Sequence, residues 1–305
     1  MNNGRFAGCG TALITPFRGD GEVDEPALRS LVDWQIEQGV DFLVLIVSTG
    51  EAATLTPAEQ RRVVEVVVER AGGRVPVVAG TGSNDTRRAV AASRAMRDIG
   101  VTHLLHVAPM YNRPPQRGIV QHFRAIVEAS DLPVIVYNVP GRTGCDLLPD
   151  TAAALAGHER IIGIKEARNE AERMAALLSL RGEGFAVLSG DDPTAMRAML
   201  AGADGVVSVA SNVLPRAMRR LCDLARGARD ADAAGALDAR LQPVFAFLGA
   251  EPNPIPLKAL MARMQLGHGL RLPLTPLSPS LAGDADRNAT VVDEIEHACR
   301  DSLAA

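Results

Sequence analysis

Lys165 ends the apolar run IIGIK, in a chain of 305 residues whose 32 basic side chains include only two lysines. A lysine at the end of a buried strand is costly when charged, because desolvation disfavours the ammonium and lowers its pKa. The neutral amine can attack a carbonyl and form a Schiff base, whose iminium stabilises a carbanion on the adjacent carbon. The same position also suits a structural lysine that pairs with Glu166 or extends its amine to a barrel mouth. Lys165 alone leaves both interpretations open.

Tyr137 ends the preceding β-rich run, LPVIVY, so it would lie beside Lys165 if the two strands pair. Schiff-base formation needs a group that shuttles protons, and a phenol can do so when its proton is relayed onward. In VSTGEAATLT, Ser48 and Thr49 offer hydroxyls for such a relay, and Gly50 lets backbone N–H groups approach a carboxylate. A barrel tyrosine that merely finds a partner, and a capped STGE turn, are the plainer alternatives.

Two further residues lie at the ends of neighbouring runs. Arg142, in the turn GRTG, supplies a planar guanidinium suited to a second carboxylate, although a surface arginine has the same pattern. Tyr111 ends the run before that of Tyr137, in APMYNRP. Both tyrosines of the chain and one of its lysines therefore lie at the ends of three successive runs.

Eight β-rich runs alternate with segments of helical periodicity, such as TPAEQRRVVEVVVERAGG. Nearly continuous apolar strands that alternate with helices predict a parallel sheet buried on both faces, and eight such units close naturally into a barrel. We therefore predict an α/β fold, a (β/α)8 TIM barrel over residues 1–210, with a C-terminal helical region over 211–305. The runs are GCGTALITPF, VDFLVLIVS, VPVVAGTG, VTHLLHVAP, LPVIVYNVP, IIGIKEA, GFAVLSGDD and GADGVVSVA.

Composition excludes several classes of function. A net charge of −4 with interspersed signs gives no reason to expect a nucleic-acid partner, and no stretch approaches the apolar length of a membrane span. The first residues lack a secretory signal pattern, so a cytoplasmic location is expected. The four cysteines show no C-x-x-C pair, and His103 and His106 would point to opposite faces of a strand. No metal site is therefore expected.

The motifs together resemble the dihydrodipicolinate synthase family, within the pyruvate-dependent class I aldolases that include N-acetylneuraminate lyase. The resemblance extends over nearly the whole chain, from TALITPF through TGEAATL, YNVPGRTGCDLLP, IIGIKEA, LSGDD and EPNPIPLK to LRLPLTPL. It implies that Lys165 forms a Schiff base with pyruvate and that Tyr137 donates and accepts protons. Ser48 would stand in the relay where the family usually has threonine. Thr49, with its backbone, would bind the pyruvate carboxylate, and the backbone at Val207 would line the pyruvate site.

The resemblance also implies a second substrate and an assembly. Arg142 would hold the carboxylate of L-aspartate 4-semialdehyde, and the product would serve lysine and diaminopimelate synthesis. Tyr111 would complete the relay in the site of a neighbouring subunit, within a homotetramer built from two tight dimers. No cofactor is implied, because the lysine itself provides the electron sink.

Departures from the family pattern limit these expectations. Val47 replaces the usual glycine before the hydroxyl pair, and Arg88 and Met110 occupy positions where lysine-inhibited members carry an acidic residue and a tyrosine. An arginine repels a cationic effector, so weak or absent inhibition by lysine is expected. Two alternatives remain: an aldolase or dehydratase of the superfamily acting on a sialic acid or 2-keto-3-deoxy sugar acid, and a non-catalytic metabolite-binding paralogue.

Overall fold

The computed structural model describes residues 6–182 and 184–300. Eight parallel strands form a closed barrel in chain order, and the last strand pairs with the first. The predicted (β/α)8 barrel is thus confirmed. The strands are β1 Gly8–Ala12, β2 Phe42–Leu45, β3 Val77–Gly80, β4 His103–Val107, β5 Val134–Asn138, β6 Ile161–Glu166, β7 Ala186–Ser189 and β8 Gly205–Ser208.

The strands are apolar on both faces because both faces are buried. On β4, Leu105 belongs to the cluster that fills the barrel interior, whereas Leu104 belongs to the larger cluster between the barrel and its helices. This alternation follows from the two-residue period of a strand. The even-numbered side chain His106 points outward to Thr81 and Ser93, at 2.7 and 3.1 Å.

Twelve α-helices occur in the described residues. Their ends follow the sequence signals, as in the second helix, where Thr56 and Glu59 form a capping box and Gly72 ends the helix in the left-handed region. The helices are α1 Glu25–Glu37, α2 Pro57–Ala71, α3 Thr86–Arg97, α4 Gln116–Ser130, α5 Pro140–Thr143, α6 Pro149–Ala156, α7 Ala171–Leu178, α8 Asp192–Leu200, α9 Pro215–Cys222, α10 Ala231–Leu248, α11 Ile255–Arg263 and α12 Ala282–Ala298.

After β8 the described chain is helical apart from connecting segments. Helix α9 packs on β1 and β8, and α10 and α12 pack on it in turn. Glu296 of α12 accepts hydrogen bonds from the backbone N–H groups of Arg216 and Ala217 at the start of α9, at 3.3 and 2.9 Å. The predicted division between barrel and helical region near residue 210 stays a prediction. Helix α9 follows that division and still packs on the barrel strands β1 and β8.

His103 lies against Phe6, with ring centroids 4.6 Å apart, on the face opposite to that of His106. Within residues 6–182 and 184–300, no group of three or more His, Cys, Asp or Glu side chains could hold a metal ion. No helix in those ranges is long and apolar enough to cross a membrane.

Candidate active site

Lys165 and Tyr137 face each other on adjacent strands. The register of β5 and β6 pairs Tyr137 with Lys165, and Lys165 Nζ lies 4.2 Å from the centroid of the phenol ring. Both side chains are buried, at 4% and 8% exposure. Among residues 6–182 and 184–300, no hydrogen bond or ion pair involves the Lys165 amine, which leaves it available for chemistry.

Glu166, the sequence neighbour of Lys165, does not pair with it. Its carboxylate points to the outer face of the barrel, where Arg173 Nε donates at 2.7 Å and Asn138 Nδ2 donates at 3.1 Å to each oxygen. The backbone N–H of Arg168 adds a bond of 2.8 Å. Consecutive residues of a strand point to opposite faces, so the Lys165 amine and the Glu166 carboxylate lie on different sides of the sheet. The structural ion pair between Lys165 and Glu166 is therefore excluded.

Burial sets the protonation of both reactive groups. Desolvation lowers the pKa of Lys165 to about 8, opposed by the charge of Asp192 and assisted by that of Arg142. Desolvation also raises the pKa of Tyr137 to about 12, although the positive charge of Arg142 opposes this shift. Near neutral pH, a useful fraction of the lysine is a free amine while the phenol keeps its proton. That combination suits a nucleophile beside a proton donor.

Gly190, just after β7, makes room for the lysine side chain. A Cβ at this position would lie 2.8 Å from Lys165 Cε and 3.2 Å from the carbonyl oxygen of Glu166. The next element adds a buried carboxylate, because Asp192 Oδ2 accepts from the N–H groups of Val209 and Ala210 at 3.0 and 2.8 Å. Asp192 thereby ties α8 to the end of β8.

The loop after β2 carries the predicted hydroxyls between two residues in the left-handed region. Ile46 has φ 47° and Glu51 has φ 52°, and a β-branched residue adopts this conformation only when its surroundings impose it. Ser48 is exposed and lines the same cavity as Tyr137. At Gly50, a Cβ would lie 3.0 Å from the carbonyl oxygen of Leu13, so the glycine lets the loop pack on β1.

Thr49 is buried and its hydroxyl is held by the C-terminal region. Asn253 Nδ2 donates to Thr49 Oγ1 at 3.0 Å. The carbonyl oxygen of Asn253 also accepts a bond of 3.4 Å from Nη2 of Arg142, which is otherwise exposed on α5. One asparagine therefore connects the two residues that were predicted to hold carboxylates.

Two valines lie around the candidate site, Val207 inside the barrel and Val47 on the loop after β2. Val207 lies on β8, opposite Gly10, and belongs to the cluster inside the barrel that includes Tyr137. Val47 lies beside Gly80 of β3, since a Cβ on that glycine would be 2.8 Å from Val47 Cγ1. The loop accommodates the valine because the neighbouring strand carries no side chain there.

Tyr111 lies at the surface of the single chain, whereas Lys165 and Tyr137 are buried. It is 89% exposed with φ 72°, and its N–H donates to the carbonyl oxygen of Thr143 at 3.0 Å. Together with Arg142 it lines an open depression outside the barrel mouth. A large aromatic side chain left this exposed by the single chain is available for contact with another molecule.

A cavity of about 800 Å³ joins the barrel mouth to an outer groove. It extends from Tyr137 and Ser48 past Val47 to Arg88 and Met110. The Tyr137 phenol and Ser48 both line this cavity, and the Lys165 amine lies over the Tyr137 ring. A buried amine, a phenol and loop hydroxyls of this kind can form a Schiff base, relay protons and bind carboxylates.

Sequence reasoning missed the residues that support this set. The sequence predicts no role for four supporting residues, which are Gly190, Asp192, Asn253 and the second lysine, Lys258. Gly190 and Asp192 belong to the strand-end motif LSGDD, and Asn253 and Lys258 belong to EPNPIPLK. Both motifs could have indicated support for the site, but their contacts are long-range and leave no periodic signal.

Comparison with known proteins finds relatives along nearly the whole chain. The family model for the dihydrodipicolinate synthetase family matches residues 5–289. A 4-hydroxy-tetrahydrodipicolinate synthase of Stenotrophomonas maltophilia (strain K279a) is 52% identical over 291 residues, covering 95% of this chain and 98% of the relative. A synthase of the same name from Xanthomonas campestris is 51% identical over 303 residues, covering 98% and 99%.

Solved structures give the same result. The chloride-inhibited dihydrodipicolinate synthase from Acinetobacter baumannii, complexed with pyruvate, superposes with a TM-score of 0.92 at 42% identity, covering 94% of this chain and 99% of that chain. A monomeric dihydrodipicolinate synthase variant also gives a TM-score of 0.92, at 36% identity, covering 94% and 97%.

Proposed function

This chain belongs to the dihydrodipicolinate synthetase family, and from that membership we propose how its residues condense pyruvate with L-aspartate 4-semialdehyde. Relatives about half identical over nearly the full length are 4-hydroxy-tetrahydrodipicolinate synthases. The activity is that of a lyase in lysine and diaminopimelate biosynthesis. The observation that carries the mechanism is the buried Lys165 amine, free of hydrogen bonds to the described residues and 4.2 Å from the ring of Tyr137.

The first half of the reaction activates pyruvate on Lys165. The neutral amine adds to the keto carbon, and protons passed through Tyr137 convert the oxygen of the adduct into water, which leaves. The resulting iminium withdraws electrons, so the methyl carbon loses a proton and becomes the enamine. Ser48 lines the same cavity and would relay these protons onward from the phenol.

Carboxylate binding orients pyruvate toward the amine. The hydroxyl and backbone of Thr49, with the N–H of Gly50, would hold the carboxylate, and the backbone at Val207 would line the opposite side. Asn253 keeps the Thr49 hydroxyl in place through its 3.0 Å bond. Fixing a small substrate in this way converts a bimolecular step into an effectively unimolecular one.

The second half uses the aldehyde. The enamine carbon attacks the aldehyde carbon of the semialdehyde, and the aldehyde oxygen takes a proton to become the 4-hydroxyl. The amino group of the semialdehyde then attacks the carbon bound to Lys165, closes the ring and expels the lysine amine. Arg142, exposed on α5 beside the open depression that it lines with Tyr111, would hold the carboxylate of this substrate with its guanidinium.

We further propose that the working enzyme is an oligomer in which Tyr111 reaches a neighbouring site. Its 89% exposure and its left-handed backbone support a role outside its own chain. Mixing inactive Tyr111→Phe subunits with inactive Lys165→Met subunits tests this directly. Because one site of a mixed dimer would receive both the intact lysine and the intact tyrosine, activity should reappear on mixing. Mixed dimers that stay inactive would contradict the shared site.

Borohydride trapping tests the mechanism. Reduction in the presence of pyruvate should add the mass of the reduced adduct to the peptide that contains Lys165. Lys258 is the internal control, because its amine is engaged by three acceptors and should stay unlabelled. Active protein without the mass increase, or with the label on Lys258, would overturn the assignment. Condensation with the semialdehyde should exceed cleavage of sialic or 2-keto-3-deoxy sugar acids.

A further inference from the structure

Lys258 is a buried cation beneath the loop that carries the site hydroxyls. It is 2% exposed, and its Nζ donates to the carbonyl oxygens of Thr15 and Gly269 at 2.7 and 2.6 Å and to the carboxylate of Glu51. The amine also lies 4.3 Å from the centroid of the Phe17 ring. All three N–H groups of the ammonium thus have acceptors, and the residue does not line the active-site cavity.

Glu51 is the last residue of the Ile46–Glu51 loop and is only 3% exposed. Its second carboxylate oxygen accepts from the backbone N–H of Arg271 at 3.1 Å. The residue has φ 52°, so it holds an unfavourable backbone conformation within this network. The loop therefore ends in a residue whose side chain is fixed by two positions of the C-terminal region.

The C-terminal region contacts the same loop at a second point. Asn253, five positions before Lys258, donates to the hydroxyl of Thr49 at 3.0 Å. Thr15, whose carbonyl oxygen accepts from Lys258, also donates its hydroxyl to the carbonyl oxygen of Gly50 at 2.8 Å. Contacts from outside the barrel thus fix the loop on either side of the backbone that would meet the pyruvate carboxylate.

We propose that Glu51 and Lys258 are positioning residues, which hold the Ser48–Gly50 backbone and the Thr49 hydroxyl in the geometry that binds the carboxylate of pyruvate. This inference rests on the proposed function, because it assigns pyruvate to that loop. The pair touches no reacting atom. It acts through the loop conformation, so it sets the affinity for pyruvate and leaves the Lys165 chemistry intact once pyruvate is bound.

The alternative is a purely structural pair, and a charge-neutral double variant separates the two. Glu51→Gln leaves a buried ammonium without its carboxylate and should be less stable, since removal of one partner of a buried ion pair is costly. Glu51→Gln with Lys258→Met removes both charges and should recover much of that stability. A structural role predicts that pyruvate affinity recovers too, whereas a positioning role predicts that it does not.

The measurement is the pyruvate concentration that gives half-maximal borohydride labelling of Lys165, with the steady-state kcat and thermal unfolding followed in parallel. Asp204→Asn is the matched control, because Asp204 is equally buried and paired with Arg181 at 2.9 Å, near the start of β8 and away from the loop. We expect the half-saturating pyruvate concentration to rise roughly tenfold in both Glu51 variants and to stay unchanged in the control. The kcat at saturating pyruvate should remain within a few-fold of the wild type.

The positioning role would be overturned if the half-saturating pyruvate concentration of the double variant rose less than threefold. It would also be overturned if kcat fell while that concentration stayed unchanged. The same would follow if Asp204→Asn raised the half-saturating concentration equally. Failure of the proposed function has a different signature, since wild-type protein itself would then show no pyruvate-dependent label on Lys165.

Discussion

Replacement of Lys165 by methionine should abolish the reaction and at the same time stabilise the folded protein at neutral pH. The amine is buried, and burial lowers its pKa from the ordinary 10.5 to about 8. Each unit of pKa shift corresponds to about 1.4 kcal/mol, so the folded state carries a penalty of about 3 kcal/mol when the lysine is protonated. Methionine fills a similar volume without a charge and lacks that penalty.

The contribution of Lys165 to the stability of the folded protein changes with pH. Because the pKa of Lys165 is lower in the folded state than in the unfolded state, the unfolded chain binds more protons between about pH 8 and pH 10.5. Wild-type stability from this group therefore rises with pH across that window and is lowest below pH 8. Loss of the contact between the ammonium and the Tyr137 ring offsets about 1 kcal/mol, leaving a net gain of roughly 2 kcal/mol for the variant at pH 7.

The assay is thermal unfolding of both proteins at equal subunit concentration and at several pH values from 7 to 10.5. The variant should unfold a few degrees higher at pH 7, and its advantage should shrink towards the upper end of the window. Lys258→Met is the control, because it removes a lysine that has a buried carboxylate partner and should destabilise at pH 7. A Lys165→Met variant that is less stable than the wild type, or an advantage that does not change with pH, would refute the reasoning.

Three further outcomes follow from the site. Gly190→Ala should reduce the rate of Schiff-base formation by about a hundredfold, because its Cβ would lie 2.8 Å from the lysine side chain, whereas Gly157→Ala, with open space around it, should not. Arg142→Ala should raise the KM for the semialdehyde by tenfold or more while pyruvate labelling persists; equal loss of both would contradict its role. Added lysine should leave the rate nearly unchanged, because Arg88 and Met110 line the outer groove; strong inhibition in a titration would disprove this.

The sequence was sufficient for the barrel and for the pair of reactive groups. Eight apolar runs at regular spacing predict the strands, and adjacent strand ends necessarily bring Tyr137 and Lys165 together. It left open whether Lys165 pairs with Glu166, and the outward direction of that carboxylate decides the matter. The decisive factor was strand alternation, which could have been applied to the sequence.

The contacts that hold the Ile46–Glu51 loop could not be predicted from strand alternation. Asn253 contacts Thr49 across 204 residues, and Lys258 contacts Glu51 across 207. Such contacts depend on how the C-terminal helices pack against the barrel, and neither hydrophobic periodicity nor turn signals specify that packing. The contact proposed for the exposed Tyr111 likewise lies between subunits, and neither kind of signal specifies it.

The separation of these contacts along the chain has a consequence for biosynthesis. During translation, the strands that carry Lys165 and Tyr137 emerge from the ribosome well before Asn253 and Lys258 are made. A nascent chain that has made β5 and β6 but not yet Asn253 still lacks the contacts that hold Thr49 and Glu51, so under the proposed mechanism it would bind pyruvate poorly. Arrested chains that end before Asn253 should therefore label poorly with pyruvate, even where the barrel has closed.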